Sequence, residues 1–551
     1  MRLLLFLKQG GRALSKASEK NRHAIATESI LWGRWFVFCL LFLGASLSGE
    51  VLNFHAGDTS RGGFGDVAAN VIMAQQLHRQ RPGAKIHMLV PERTLAALAV
   101  LEPETLGFES SVTVNGITYH REGKSVLPMG DVAMVFAAET DYPSLEKSAP
   151  LLLTFEEYTY APGKAHITQY SYASPTGTAK QLGLSAGLGM GTSGLYVTQG
   201  KLAPPHSRSE LFEALDELPG GFVGDIEEQY QGVKLGFAYS YKPQVTEAYV
   251  KAMIKEAGRA ENSAQKYLLV TQHPINEVVP PNLEVRYYKK IPFQLTNSII
   301  AHSDLPVLVT GDVSVSLAIQ HEKPFFYEGL SWKAEFARGL VKKLVKADPS
   351  LKSNLTVSRM LKEIYPGDML YSRMELGSLV ESMHGALQNE ETLGKISKGL
   401  AKIKRVYSMP KKIDRFLTIL QEMGASALPQ SSQILEYILA GKSKEYIQNE
   451  LKKLKPLSAV SNGISSPEVI PASALTTQQT VSEWSGSPGE IAASIASLEA
   501  GERREKLEQL AQEAPADIRE KVIEHLSRHR HTLNQMQTIQ GCRDVLSKIG
   551  N

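Results

Sequence analysis

The chain has 551 residues, of which 43% are hydrophobic and 21% are charged, which is an ordinary globular composition. A chain of this length is expected to form about two to four domains. Its 60 basic and 57 acidic side chains nearly balance, which excludes nucleic acid as the expected main partner. The 2 cysteines exclude a disulfide framework, and the 14 histidines show no metal-ligand spacing, so we expect no metal site.

The first 49 residues form a segment of their own. Residues 35–47 are an apolar run preceded by basic residues and ended by small ones, which is typical of a signal-peptide core. Three interpretations stay open: a cleaved signal or uncleaved anchor, an upstream extension from a misassigned start, and a peripheral helix. We expect membrane association through residues 31–47, or export, if the segment is translated and used, and a cytoplasmic location otherwise.

An N-terminal α/β domain is predicted over residues 50–225. A buried strand over 51–55, a glycine-rich turn, a helix over 67–80 and a strand over 85–90 are typical of a doubly wound domain. The glycines exceed what one turn requires, so we predict a loop whose backbone approaches a substrate. They are Gly57, Gly62, Gly63 and Gly65. Asp66, at the start of the helix, is predicted either as acid/base or substrate clamp, or as the helix cap.

Further strands are predicted at 131–136, 151–155 and 165–172. Glu157 and Tyr158 follow the middle one, where a carboxylate beside a tyrosine favours either a cleft or a solvated loop. The glycines at 189, 191 and 194 match the spacing of a dinucleotide fingerprint, but no helix follows them, so we reject that motif. We predict instead that Gly189, Gly191 and Gly194 belong to a mobile or ligand-facing loop over 183–195.

A second α/β domain is predicted over residues 226–350. Its central unit reads as strand, turn, short helix and strand over 305–328, and small polar residues begin the helix, where free N–H groups suit an anionic group or a simple cap. A tyrosine turn at 239–241 should lie beside that helix start, because both leave the same sheet edge. We therefore predict a nucleotide diphosphate site. Its candidate residues are Tyr239, Ser240, Tyr241, Thr310, Gly311, Asp312, Ser314, Ser316 and Glu328.

The remainder of the chain is predicted to be helical. A helix over 331–346 is expected to pack back across the cleft, and residues 351–455 read as a helical extension. Residues 456–489, rich in Ser, Thr, Pro and Gln, indicate a linker. Residues 490–551 read as a module of charged amphipathic helices that could bind a partner. The predicted fold class is thus α/β, with two facing Rossmann-like doubly wound domains followed by an all-α region.

The order of these features resembles glycosyltransferases of the GT-B fold, and within them the bacterial protein-arginine rhamnosyltransferases. The resemblance covers about residues 51–345. It rests on short motifs in a shared order, namely Phe64-Gly65-Asp66-Val67, Glu157-Tyr158, Thr192-Ser193-Gly194-Leu195, the tyrosine turn at 239–241, Gly311-Asp312-Val313-Ser314 and Glu322-Lys323-Pro324-Phe325.

The resemblance implies a metal-independent transfer of sugar from a nucleotide sugar, with no cofactor, to an acceptor such as a protein side chain. It implies Asp66 as the base, with Glu157 beside it, and Asp312, Ser314 and Tyr241 as nucleotide ligands. The chain departs from the family, because Gly62 and Gly311 stand where the family has acids. Two other interpretations therefore remain: a catalytically inactive binding scaffold and an epimerase-like enzyme on the same fold.

Overall fold

The computed structural model describes residues 49–57, 64–136, 142–161, 163, 165, 167–174, 177–218, 230–330, 333–352, 354–361 and 373–453. They belong to one compact unit that ends at Leu454. The signal-like segment, the linker and the C-terminal module predicted above lie outside the described residues. No helix within the described ranges is long and apolar enough to cross a membrane.

The first domain is built on an eight-stranded sheet in the order β3-β4-β2-β1-β5-β6-β8-β7. The six inner strands, which run from β4 to β8 in this spatial order, are parallel to one another. The edge strands β3 and β7 each pair antiparallel with the strand beside them. The central strands are almost wholly apolar because helices cover both faces of a parallel sheet. Its elements are β1 (Val51–His55), α1 (Phe64–Gln80), β2 (Lys85–Val90), α2 (Leu95–Leu101), β3 (Ser111–Val114), β4 (Ile117–Arg121), β5 (Val132–Phe136), α3 (Pro143–Glu146), β6 (Leu151–Tyr160), β7 (Ile167–Ser174) and β8 (Gly177–Leu188).

The second domain is built on a five-stranded parallel sheet in the order β11-β10-β9-β12-β13. In both sheets the strand order reverses beside the first strand, which is the Rossmann-like arrangement. The predicted α/β class with two such domains is therefore confirmed. The elements are α4 (Arg208–Glu217), β9 (Lys234–Ala238), α5 (Pro243–Ala257), β10 (Tyr267–Thr271), β11 (Leu283–Tyr287), α6 (Phe293–His302), β12 (Val307–Thr310), α7 (Asp312–Gln320) and β13 (Phe325–Glu328).

Helices follow the second sheet, as the sequence predicted. They are α8 (Ala334–Ala347), α9 (Leu355–Leu361), α10 (Arg373–Leu387), α11 (Glu390–Val406), α12 (Met409–Met423), α13 (Ser431–Leu439) and α14 (Lys444–Lys453). Helix α8 packs on β6 and β8 of the first domain, so the expected return across the cleft is confirmed. Helix α12 also returns to the first domain and packs on α1.

Residues 183–195 differ from the predicted loop. Strand β8 runs to Leu188, so residues 183–188 are paired with β6 rather than forming a loop. Repeated glycines obscured this strand in the sequence, because glycine is uncommon in strands and weakens the apolar pattern. The glycines are used for close packing: a Cβ on Gly189 would lie 2.1 Å from the Ala161 oxygen.

Two glycines of α11 make a matched test of packing in the helical region. An added Cβ at Gly394 meets nothing within 4 Å, whereas at Gly399 it would lie 2.6 Å from Leu344 Cδ2. We expect Gly394→Ala to stabilise the protein by about 0.5–1 kcal/mol, because alanine loses less backbone entropy in a helix. Gly399→Ala should destabilise it by about 1–3 kcal/mol through overpacking. Urea unfolding of both variants measures their free energies of unfolding. Equal effects on stability would contradict the close packing of Gly399 on Leu344.

Candidate functional site

The site lies where the strand order of the second sheet reverses, between the carboxyl ends of β9 and β12. Leu308 of β12 pairs with Ala238 of β9, and the Tyr239 N–H donates to the Leu308 oxygen at 2.9 Å. The tyrosine turn and the start of α7 therefore lie side by side, which confirms the predicted neighbourhood. Open parallel sheets receive ligands at this point, outside the strand ends.

Glu328 holds the tyrosine turn in place. Its carboxylate accepts hydrogen bonds from the Lys242 N–H at 2.9 Å and from the Tyr241 N–H. Its own carbonyl accepts from the Thr310 hydroxyl at 2.9 Å, which joins β13 to the end of β12. The side chain is fully buried, and burial raises the pKa of this carboxyl. Glu328 thus positions the turn and presents no exposed carboxylate to a ligand.

The hydroxyls predicted to contact a ligand are used within the protein. Ser314 donates to the Thr310 carbonyl, and Ser316 donates to the Asp312 carbonyl at 2.6 Å. Ser240 donates to the Lys242 carbonyl at 2.7 Å. These bonds are made at the helix start and in the turn, where serine hydroxyls bond nearby backbone groups.

Two features at the same place remain open to a ligand. Gly311 precedes α7 with φ +76°, and an added Cβ there would meet nothing within 4 Å. The Tyr241 side chain is 63% exposed, and the Lys242 ammonium lies 5.1 Å from its ring centroid. An aromatic face, a cation and a helix N-terminus therefore share one edge of the sheet. This combination suits the base and the phosphates of a nucleotide.

Asp312, at the start of α7, is tied to the first domain through Lys333. Its Oδ2 accepts from the Tyr158 N–H at 2.8 Å and from the Lys333 ammonium at 2.9 Å. Lys333 also pairs with Glu157 Oε2 at 2.8 Å. The predicted residues Glu157 and Asp312 are thus brought together, but by a buried lysine that the sequence analysis missed. No pattern in the sequence marks Lys333; only its burial reveals it.

The pKa values of this triad of Glu157, Asp312 and Lys333 follow from burial and charge. Burial raises the pKa of Asp312, an effect that the Lys333 charge only partly offsets. Burial alone would lower the pKa of Lys333, but its two carboxylate partners raise it above the ordinary value. Asp312 Oδ1 is buried and has no hydrogen-bond partner among the described residues. The Lys333 ammonium is therefore charged, whereas burial destabilises the ionised form of Asp312.

Two buried tyrosines extend the triad toward Asp66. The Tyr158 hydroxyl accepts from the Tyr196 N–H at 2.5 Å and lies 2.5 Å from the Ser316 hydroxyl. The rings of Tyr158 and Tyr196 are in contact in a tilted arrangement, with centroids 4.8 Å apart. Burial, with the nearby Tyr158, Asp312, Asp66 and Glu157 adding to it, raises the pKa of Tyr196 well above its ordinary value. The charges of Asp66, Glu157 and Asp312 therefore all act on one buried tyrosine.

Asp66 stands at the corresponding edge of the first sheet. It lies in the first turn of α1 and is half-buried. Asn70, one turn later, donates to the Asp66 carbonyl at 2.9 Å and to the Phe136 carbonyl at 2.8 Å, which fixes the helix start to the end of β5. Helices α1 and α7 pack together, so the helix that carries Asp66 and the helix that carries Asp312 are neighbours.

The glycines predicted as a substrate loop are divided by the structure. Gly65 begins α1 with open space at its Cβ position, while Gly62 and Gly63 lie outside the described residues. Gly189, Gly191 and Gly194 are buried beside β6 and the turn at Tyr407. Gly191 N–H donates to the Ala161 carbonyl at 2.9 Å, and a Cβ on Gly194 would lie 2.5 Å from the Tyr407 oxygen. These three allow backbone to approach backbone.

Comparison with known proteins gives little beyond this geometry. No protein-family profile and no curated protein matches the chain. Solved α,α-trehalose-phosphate synthases align weakly. That from Burkholderia xenovorans, in complex with glucose-6-phosphate, has a TM-score of 0.34 and 9% identity over 68% of this chain and 100% of that chain. That from Burkholderia multivorans has a TM-score of 0.34 and 10% identity over 69% and 100%.

Proposed function

We propose that the chain is a glycosyltransferase of the GT-B type, which transfers a sugar from a nucleotide sugar to an acceptor. The observation that carries the proposal is the edge of the second sheet, where Gly311 opens the start of α7 beside the exposed Tyr241 ring. A helix N-terminus favours the diphosphate, and it stabilises the negative charge that develops on the leaving group. The aromatic ring offers a face to the base.

In this proposal Asp66 accepts the proton of the acceptor. It lies at the facing edge of the first domain and near the triad, so an acceptor bound there would stand between the two sheets. A carboxylate suits this role, because a positioned base can take the proton as the new glycosidic bond forms. A protein side chain, as the resemblance implies, and arginine in particular, is the first acceptor to test.

The binding-scaffold interpretation also has an observation in its favour. Glu157 and Asp312 are bound to Lys333, so two of the four predicted acids are engaged in an ion-pair network. A protein of this kind would bind the nucleotide sugar without turnover. Incubation with nucleotide sugars and an arginine-containing protein acceptor, followed by mass spectrometry, separates the two: transferred sugar supports the enzyme, and tight binding without transfer or donor hydrolysis supports the scaffold.

The donor site predicts a loss of affinity in Tyr241→Ala. Base stacking on an aromatic ring contributes about 1–3 kcal/mol, so we expect the Kd for a bound nucleoside diphosphate to rise by about fivefold to about 150-fold. The side chain is exposed, so the melting temperature should change little. Calorimetric titration of the full chain with nucleoside diphosphates measures the effect.

Tyr446→Ala is the matched control, because Tyr446 is a partly exposed tyrosine on α14. Its removal should leave nucleotide affinity unchanged. Equal affinity in Tyr241→Ala and the unmodified chain would remove the donor site from this edge. Failure of every nucleoside diphosphate and its sugar conjugates to bind would overturn the proposed function itself.

A further inference from the structure

Three lysines surround two tyrosine rings at the carboxyl end of β6. Tyr160 ends that strand, and Tyr407 lies between α11 and α12. The Lys342 ammonium lies 5.2 Å from the Tyr160 centroid, and the Lys343 ammonium lies 5.6 Å from Tyr160 and 5.1 Å from Tyr407. The Lys412 ammonium lies 5.8 Å from Tyr407. We call these five residues the lysine cluster.

The cluster brings three lysine side chains together around the two rings. In the part of the chain that the structure describes, none of its three ammonium groups forms an ion pair. Lys412 has one hydrogen bond, to the Thr192 carbonyl at 3.1 Å, and burial lowers the pKa of this amine to about 8. Lys343 and Lys412 are half-buried, whereas Lys342 is exposed. A half-buried cation without a counter-charge is unfavourable unless another charge compensates it.

Two fully buried lysines of the chain, unlike those of the cluster, are paired with acids. Lys333 has two carboxylate partners, and Lys404 pairs with Glu322 at 2.7 Å. A cation–π contact at an exposed site stabilises a lysine by about 0.5–1 kcal/mol. The two rings therefore replace only part of the stabilisation that a carboxylate partner would give. The balance of charge at the lysine cluster is therefore incomplete within the described chain.

The cluster is also built on rigid supports. A Cβ on Gly339 would lie 2.3 Å from the Tyr160 ring, so α8 packs directly on that ring. The Tyr407 carbonyl accepts from the Leu195 N–H at 2.6 Å, which fixes the turn to the end of the first sheet. Lysines from α8 and α12 converge on this support. Rings held in this way need no reordering when a ligand binds, which lowers the cost of binding.

We propose that the lysine cluster binds a phosphate group carried by a small molecule. The three ammonium groups supply the charge, and the rings of Tyr160 and Tyr407 supply a fixed floor beneath it. Lysine binds phosphate as a point charge, and each ammonium has up to three donors for its oxygens. This site lies where α8 and the turn between α11 and α12 meet the end of β6, and it shares no residue with the edge that carries Tyr241, so it does not depend on the proposed transferase activity.

Calorimetric titration of the full chain with inorganic phosphate and pyrophosphate tests the site. We expect saturable binding that weakens at least about tenfold in Lys343→Gln and in Lys412→Met, which keeps the buried aliphatic stem. Lys398→Gln is the matched control. It removes the same charge from an exposed lysine of α11 that contacts no ring, and it should leave binding unchanged. Tyr241→Ala should also leave phosphate binding unchanged.

A second measurement needs no substitution. Acetic anhydride labels lysines according to their neutral fraction and access, and mass spectrometry reads each site. Phosphate should protect Lys343 and Lys412 from labelling and leave Lys398 as reactive as before. Absence of saturable binding, equal weakening in Lys398→Gln, or labelling unaffected by phosphate would each overturn the proposal. Loss of phosphate binding in Tyr241→Ala alone would place the anion at the donor edge and overturn the proposal as well.

Discussion

Replacing Lys333 with methionine is expected to destabilise the protein by roughly 3–5 kcal/mol, because it leaves buried charge without its partner. The ammonium now lies 2.9 Å from Asp312 and 2.8 Å from Glu157, and its side chain is only 5% exposed. Methionine fills a similar volume, so the loss would come from charge rather than from a cavity. Urea unfolding of the full chain measures the change in the free energy of unfolding.

The same ion pairs predict how this loss depends on pH. Burial raises the pKa of Asp312 above its ordinary 3.8, so the folded state binds this proton more readily than the unfolded state. The contribution of Asp312 to stability is therefore present at low pH and is lost as pH rises through the raised pKa. Removing Lys333 raises that pKa further. The difference between Lys333→Met and the unmodified chain should shrink as pH falls toward the ordinary carboxyl range.

Two further variants distinguish this explanation from a general effect of losing a lysine. Lys404→Met removes another buried lysine, but its partner Glu322 is 31% exposed on its side chain and can be hydrated, so the loss should be smaller. Adding Asp312→Asn to Lys333→Met should restore part of the stability, because the orphaned carboxylate becomes neutral. A double variant no more stable than the single one would contradict the triad as the cause.

The elements that the sequence predicted well are those with continuous apolar strands. Val132–Phe136 is readable because a strand buried on both faces is uniformly apolar. The short edge strand Ser111–Val114 was missed, since its pattern is mostly exposed. Strand β8 was hidden by its glycines. Local patterns therefore predicted the continuously apolar strands and the edge strands β7 and β13, and they missed the exposed edge strand β3 and the glycine-rich inner strand β8.

The candidate site was predictable where it depends on topology. The turn at 239–241 and the start of α7 lie together because both follow neighbouring parallel strands, which the order of elements implies. The partners of Asp312 were not predictable. Tyr158 and Lys333 are 154 and 21 residues away from it in sequence, and only tertiary packing joins them. The burial of the Tyr196 ring was not predictable either, because no local pattern in the sequence indicates it.

The second large effect is expected at Asp66. On the proposed mechanism, Asp66→Asn should lower kcat by about 10²–10⁴, the usual contribution of a general base, because the amide cannot accept the acceptor's proton. Nucleotide affinity should be unchanged, since the proposed donor edge lies on the other domain. Stability should fall by about 0.3–1 kcal/mol at most through loss of a carboxylate at a helix N-terminus. Single-turnover assays with calorimetry on the same samples separate the chemical step from binding.

Glu109→Gln is the control for loss of an exposed acid on the same domain, and its kcat should match that of the unmodified chain. Glu157 and Asp312 share the charge of Lys333, so a base chosen from them would first have to break a buried ion pair. Asp66 lies at the half-buried start of α1, outside those ion pairs with Lys333. If Asp66→Asn keeps full turnover, the base must be sought within the triad, and Glu157, the more exposed of its two acids, becomes the residue to replace.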